Sequence, residues 1–328
     1  MARFGADDIR AAHARIPAAF RDSPQFVHEG LSARLGVPVV VKVETLNPIR
    51  AFKGRGTWLA VEALVGEGRL RPDRPLVVAS SGNFGQGAAY AGRARGVPVT
   101  VFVAESASDA KVARMVALGA TVVRAGRDFD AARVACERHA AEGGGLLLID
   151  GVDARVAIGN GTMAVEVTDA VAAGDLPAIA VAYVPVGNGA LIGGVGTWLR
   201  AASPTTRIVA VGAQSAPSME RSWRAGRAIE TDVADSYADG IACRVPVPEA
   251  LEDNGRPGRR LRAPLGGRSP CRPGGTDGTA RRHGRGFGRG FLGGRPRSTA
   301  RWRGPPDHHR RQPADRRSNG VGDGRYCR

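Results

Sequence analysis

The chain has 328 residues, a formal net charge of +16 and 43% hydrophobic side chains, which is enough apolar material for a sizeable core. The charge is uneven: residues 253–328 hold 20 arginines, no lysine and five acidic residues, which leaves residues 1–252 at a net +1. The basic balance therefore belongs to the tail, and the four cysteines (Cys136, Cys243, Cys271 and Cys327) have neither CxxC nor metal-ligand spacing, which excludes a disulfide framework or a cysteine-bound metal.

In chain order, the N-terminus carries Arg3, Asp7, Asp8 and Arg10 without an apolar segment, so no signal peptide is expected. β-Branched runs at 39–43, 76–79, 99–103, 121–123, 146–149, 179–184 and 208–211 are near-continuously apolar, as strands buried on both faces should be. Helix-like stretches fall between them at 57–65, 84–95, 109–118, 129–141 and 164–172. This alternation predicts parallel sheets with helices on both faces and ligands at the carboxyl ends of strands. The uncharged stretch 176–199 is long enough to span a bilayer, but it contains Pro185, Asn188 and five glycines. A buried strand, a glycine turn and a helix fit it better, so no membrane segment is expected.

Three strand ends carry unusual chemistry. Lysine is rare here: Lys42, Lys53 and Lys111 are the only three among 47 basic residues. Lys53 lies in ETLNPIRAFKGRG (44–56), between a strand and a helix, and unlike arginine a lysine can lose its proton and attack a carbonyl. SSGNFGQG (80–87) opens a helix with small and hydroxyl residues, a seat for an anion such as a carboxylate. PVGNGALIGG (185–194) is a second glycine turn into a helix, and its amides suit a phosphate. It lacks the GxGxxG dinucleotide fingerprint and the GK[ST] ending of a Walker loop. Alone, each motif is a tight turn or a helix cap. Together, at the strand ends of one sheet system, an amine, a carboxylate seat and a phosphate seat are what a pyridoxal phosphate enzyme acting on an amino acid requires.

With these motifs in this order, and with IGNGTMAVEV (158–167) read as the start of a helix after a small domain, the chain resembles the fold-type II pyridoxal-phosphate-dependent enzymes. Within them it is most similar to the threonine/serine dehydratase and serine racemase branch, over about residues 23–252. The resemblance implies an α/β, two-domain open parallel-sheet architecture of the tryptophan synthase beta-like kind. The large cofactor-binding domain would comprise 1–52 and 149–252, incomplete at its C-terminal end, and the small domain 53–148.

The roles that the resemblance implies are these. Lys53 forms the Schiff base with pyridoxal 5'-phosphate and shuttles the Cα proton, and Phe52 flanks the cofactor ring. Asn83 bonds the ring's 3′ oxygen, while Gly187, Asn188, Gly189, Ala190 and Leu191 cradle the phosphate. Ser80, Ser81, Gly82, Asn83 and Phe84 bind the substrate, with the amides of 81–84 seating its carboxylate and Ser81 serving the opposite face. The implied reaction is β-elimination of L-threonine or L-serine to a 2-oxo acid and ammonia, with threonine synthase, cysteine synthase or serine racemase chemistry as alternatives. A cytoplasmic homo-oligomer is expected. Gln214 stands where the family often begins a divalent-cation site with glutamate, so no metal is expected.

From about Asp253 the composition changes: 17 glycines and eight prolines accompany the 20 arginines. Such a segment cannot bury enough apolar surface to order itself, so disorder is predicted. A reading-frame shift near codon 253 is the favoured explanation. The rival is a genuine RGG-type segment around RGFGRGF (285–291) that binds nucleic acid, which would make the chain an inactive truncated homologue with a basic tail.

Overall fold

The structure, a computed structural model, describes residues 3–254 other than 233, 235 and 237. The predicted tail, its disorder, its frame shift and its nucleic-acid binding fall outside the described residues, apart from Asp253 and Asn254. All described residues belong to one unit.

The elements run α1 (Ala6–His13), β1 (Gln25–Val27), α2 (Glu29–Leu35), β2 (Val40–Lys42), α3 (Lys53–Gly66), β3 (Leu76–Ala79), α4 (Asn83–Ala94), β4 (Val99–Val103) and α5 (Asp109–Ala117). They continue through β5 (Thr121–Arg124), α6 (Phe129–His139), β6 (Leu146–Leu147), α7 (Ala154–Ala173), β7 (Val181–Pro185), α8 (Ala190–Ala202), β8 (Arg207–Val211), α9 (Ser218–Ala225) and α10 (Pro248–Asn254). Every predicted strand is present to within about two residues at either end, but burial on both faces holds chiefly for β3 and β4, while β5 and β7 keep exposed residues at the sheet margins.

Partner choice is not local, and here the structure departs from the expectation of one sheet system. Among the described residues there are three sheets: a parallel one in the order β5-β4-β3-β6, a parallel pair β7-β8 and an antiparallel pair β1-β2. The three chemically distinctive strand ends belong to three different sheets. Among the described residues no helix is long and apolar enough to cross a membrane, and 176–199 contains β7, the glycine turn and most of α8.

The main core brings the sheet residues Leu76, Val78, Val99, Val101 and Val103 together with Ala60, Val61 and Leu64 of α3 and Ala88, Ala89 and Ala91 of α4. Burying each valine or leucine of this set stabilises by about 1.5–3 kcal/mol relative to leaving it exposed. Helices α3, α7 and α8 approach unusually closely. A Cβ on Gly56 would lie 2.5 Å from the Val156 carbonyl oxygen, one on Gly159 2.6 Å from that of Arg55, and one on Gly194 2.0 Å from that of Ala157.

These contacts correct the reading of 158–167 as a helix start. Helix α7 begins ten residues earlier than the predicted 164, capped by Asp153, whose side chain accepts from the Arg155 amide. Glycines inside a helix cost about 1 kcal/mol each relative to alanine and so imitate a boundary in sequence. Gly159 and Gly161 are interior because neighbouring backbone occupies the space of a side chain.

Candidate active site

Lys53 is the first residue of α3, placed there by a turn built on Asn47. The Asn47 side chain donates to the carbonyls of Glu44 (2.8 Å) and Ala51 (3.1 Å), and its Oδ1 accepts from the amides of Ile49 and Ala51, both at 3.2 Å. The turn passes through Arg50 at φ +53°, a left-handed conformation that a residue with a Cβ adopts at a cost of about 1–2 kcal/mol. The Lys53 side chain is 13% exposed, and its Nζ stands 5.2 Å from the centre of the Phe52 ring and 5.9 Å from that of Phe84. It donates to Asp150 Oδ2 at 2.5 Å.

Phe84 belongs to the first turn of α4, so the same lysine faces the SSGNFGQG segment. Ser80 is buried, and its Oγ accepts the Gly82 amide at 3.2 Å, which orders the turn into the helix. Among the described residues the amides of Asn83 and Phe84 have no protein acceptor, which leaves them open to an anion at the positive end of a 12-residue helix. Ser81 is half-buried, and Asn83 is exposed with only a long 3.5 Å contact from Gln86 Nε2.

Asp150 lies in the turn between β6 and α7, and the next residue connects this turn to the third motif. Gly151 takes φ +91°, and a Cβ there would lie 3.3 Å from the Val247 side chain and 3.4 Å from Asn188 Nδ2. In the 187–191 loop Gly189 takes φ +97° as the residue preceding α8, and Asn188 Oδ1 accepts the Ala190 amide at 3.1 Å. A Cβ on Gly187 would lie 3.0 Å from the Gly240 carbonyl oxygen and 3.2 Å from Ile241 Cα, so a side chain there would need this backbone to give by a few tenths of an ångström. Lys53, which follows β2, thus meets two residues carried by the four-stranded sheet, Phe84 after β3 and Asp150 after β6, while Asn188, after β7 of another sheet, neighbours Gly151.

The residues present fit pyridoxal phosphate. An amine suits its aldehyde, the faces of Phe52 and Phe84 suit its ring, and a glycine loop at the start of the 13-residue helix α8 suits its phosphate.

One turn behind Lys53 lies a buried charge cluster that the sequence reading did not single out. Arg55 is fully buried and donates to Glu166 Oε1 (2.6 Å), Glu44 Oε1 (2.9 Å) and Thr162 Oγ1 (3.1 Å). Lys42 also pairs with Glu166, and His13 Nε2 is 3.4 Å from the same carboxylate. Burial pushes the Glu166 carboxyl up, but hydrogen bonds and charge from Arg55 and Lys42 outweigh it and hold the group below its ordinary range. Burial pushes the Lys42 amine down against the pull of Glu166. His13, Asp22 and Glu166 lie within metal-ligand reach of one another, yet the Glu166 oxygens are already taken by two cations and the Asp22 amide. The rarity of lysine, which singled out Lys53, applied equally to Lys42.

Asp150 was missed as well. An aspartate in a loop is ordinary in sequence, and nothing local signals its partner 97 residues away. Cys243 belongs to the same neighbourhood. Its thiol is pushed up chiefly by burial, with Asp130 and Asp150 raising it further and Ser218 and Lys53 opposing.

Comparison with known proteins agrees with this geometry. The family profile described as pyridoxal-phosphate dependent enzyme matches residues 17–260. The L-threonine ammonia-lyase of Geobacter sulfurreducens is 35% identical over 238 residues, which cover 73% of this chain but 57% of that protein. The chain thus spans little more than half the length of that relative. The structure of processed threonine deaminase isoform 2 from Solanum lycopersicum superposes with a TM-score of 0.68 at 29% identity, covering 79% of this chain and 69% of that one. Maize serine racemase shares the fold, with a TM-score of 0.68 at 24% identity over 79% of this chain and 76% of that one.

Proposed function

We propose, from the premise that this chain belongs to the family of pyridoxal-phosphate dependent enzymes, that it catalyses β-elimination on L-threonine or L-serine, releasing a 2-oxo acid and ammonia. The observation that carries the reading is the Lys53 amine facing Phe52, Phe84 of the SSGNFGQG segment, and Asp150. The choice of substrate rests on the threonine ammonia-lyase and threonine deaminase relatives.

When bound, the cofactor supplies an electron sink for the charge left at Cα. Lys53 would hold it covalently, Phe52 would pack against its ring, and Asn83 would donate to the ring's 3′ oxygen. Gly187, Asn188, Gly189, Ala190 and Leu191 would take its phosphate at the start of α8, where the helix dipole favours negative charge. For the substrate, the amides of Ser81, Asn83 and Phe84 seat the carboxylate, with Ser80 ordering the turn through the Gly82 amide. Lys53 would remove the Cα proton as general base. Ser81 would serve the opposite face, a role that rests on its match to the serine of racemizing relatives. The Cβ hydroxyl leaves with a proton as water.

The domain reading belongs to the same proposal. The four-stranded sheet β3–β6 falls wholly within 53–148, the small domain, while β1-β2 and β7-β8 fall in the large one. A cytoplasmic homo-oligomer is the setting we infer, supported by the free thiols of Cys136 and Cys243 and by exposed Phe26, Leu35 and Val37 around α2.

The test is direct. Purified full-length chain is mixed with pyridoxal phosphate and L-threonine, and 2-oxo acid is assayed beside a Lys53→Ala control. Product from the unaltered chain with a loss of at least about a thousandfold in the variant supports the reading. Product formed equally by both sinks it. Cofactor binding without product from threonine or serine moves the substrate choice to the synthase or racemase alternatives.

A further inference from the structure

We propose that Asp150 is a positioning residue that acts as the counter-ion of Lys53 and competes with the cofactor for it. The inference rests on the reading of Lys53 as the attachment residue. Asp150 Oδ2 accepts from Lys53 Nζ at 2.5 Å, and both side chains are largely withdrawn from water, at 20% and 13% exposure. Its other oxygen, Oδ1, is buried and has no hydrogen-bond partner among the described residues. The carboxylate therefore directs its one strong bond at the amine.

The turn that carries Asp150 is held from several directions, so the contact is built in. Val152 and Asp153 donate their amides to the Ile149 carbonyl, and Asp153 caps α7. From outside, Arg3 donates to the carbonyls of Val152 and Gly151, and its guanidinium is in turn fixed by Asp253 of α10. Gly151 takes φ +91°, and a Cβ there would come to 3.3 Å from Val247 and 3.4 Å from Asn188 of the phosphate-side loop. Nearby, the Cys243 thiol feels the charges of both members of the pair, and it also feels Asp130, which is itself tied to Arg244. Among the described residues Asp150 is the one carboxylate bonded to Lys53.

The chemical consequence follows from the lone pair. Condensation joins the Lys53 nitrogen to the aldehyde carbon through a C=N bond. The carbonyl oxygen leaves as one water with two of the ammonium protons, and the third stays on nitrogen. To attack, the nitrogen must free a lone pair and turn away from Asp150, so the charge-assisted bond must break first. Asp150 is not consumed. In the cofactor-free chain it spares a half-buried ammonium from standing unpaired, and attachment is slower for that reason.

The experiment measures attachment rather than turnover. Cofactor-free full-length chain is mixed with pyridoxal phosphate at one pH, and the absorbance band near the visible edge is followed in time. Borohydride reduction and peptide mass spectrometry then locate the adduct. Asp150→Asn should attach the cofactor about tenfold faster or more, the effect of removing one strong opposite charge at this distance. Asp150→Glu, which keeps the charge, should stay near the unaltered rate. Folding is checked by circular dichroism, and Asp150→Ser is the substitute if the asparagine variant does not fold. An adduct on Lys53 with equal or slower attachment in the charge-removing variants overturns the counter-ion role alone. An adduct on Lys42 or Lys111 instead overturns the reading of Lys53 on which it rests.

Discussion

Arg55 and Glu166 meet as a fork, with Nη1 to Oε1 at 2.6 Å and Nη2 to Oε2 at 3.0 Å, and the arginine is wholly closed to solvent. The pair ties the first turn of α3, which carries Lys53, to the middle of α7. Because Glu44 shares the same guanidinium, removing it leaves Glu166 with Lys42, His13 and the Asp22 amide, and Glu44 with the Ser23 hydroxyl. Arg55→Met is expected to cost about 3–5 kcal/mol, the usual penalty for breaking a buried pair from one side. Urea unfolding measures it, and a loss below about 1 kcal/mol would contradict the buried pairing.

The same cluster sets a pH dependence. The folded Glu166 carboxyl titrates below the ordinary 4.5, since its cationic partners outweigh burial. A depressed folded value contributes stability that is fully present above the unfolded pKa and is lost as pH falls through the folded one. Unfolding midpoints in urea should therefore decline below about pH 4.5 in the unaltered chain and decline less steeply in Glu166→Gln. Equal slopes would show that other carboxylates carry the acid transition.

The glycines of the α3–α7–α8 contact make opposite predictions from that at the end of α3. Gly194→Ala places a Cβ 2.0 Å from the Ala157 carbonyl oxygen and should destabilise by about 1–3 kcal/mol or more. Gly66→Ala meets nothing within 4 Å at the last position of α3 and should stabilise by about 0.5–1 kcal/mol. Thermal melts of the two variants suffice, and shifts of the same sign would argue against the close approach.

Arg50 holds a left-handed conformation just before Lys53. Arg50→Gly removes that strain, offset in part by the greater freedom of glycine in the unfolded chain, for a net gain of about 0.5–1 kcal/mol. A melting temperature lowered by the change would mean that the arginine side chain contributes more than its backbone costs.

Cys136 is buried against Val77 and Phe102, and burial pushes its thiol up to about 12. At neutral pH almost none is thiolate, the reactive form. Alkylation mapped by peptide mass spectrometry should find Cys136 unmodified in the folded chain and labelled in urea. Rapid labelling under native conditions would show that this part of the sheet opens.

Most of the strands and the order of the motif loops were legible from residues alone. Apolar continuity and glycine turns are properties of adjacent positions, and a helix opening on SSGNFGQG needs nothing remote. The beginning of α7 was misread because Gly159 and Gly161 look like helix breakers until α3 and α8 are seen against them. The short strand β1 went unrecognised because three residues with an exposed face carry too little apolar signal.

What the sequence singled out by itself was a candidate: Lys53, one of three lysines in an arginine-rich chain, at a strand-to-helix turn, with two glycine-containing helix openings following in order. Tertiary structure decided its company. Asp150 is 97 residues from Lys53, and Glu166 is 111 from Arg55. Local conformation follows from covalent neighbours, whereas contacts at such separations are set by how three sheets and the glycine faces of α3, α7 and α8 pack. That packing brings a carboxylate against the Lys53 amine and closes water away from the arginine behind it.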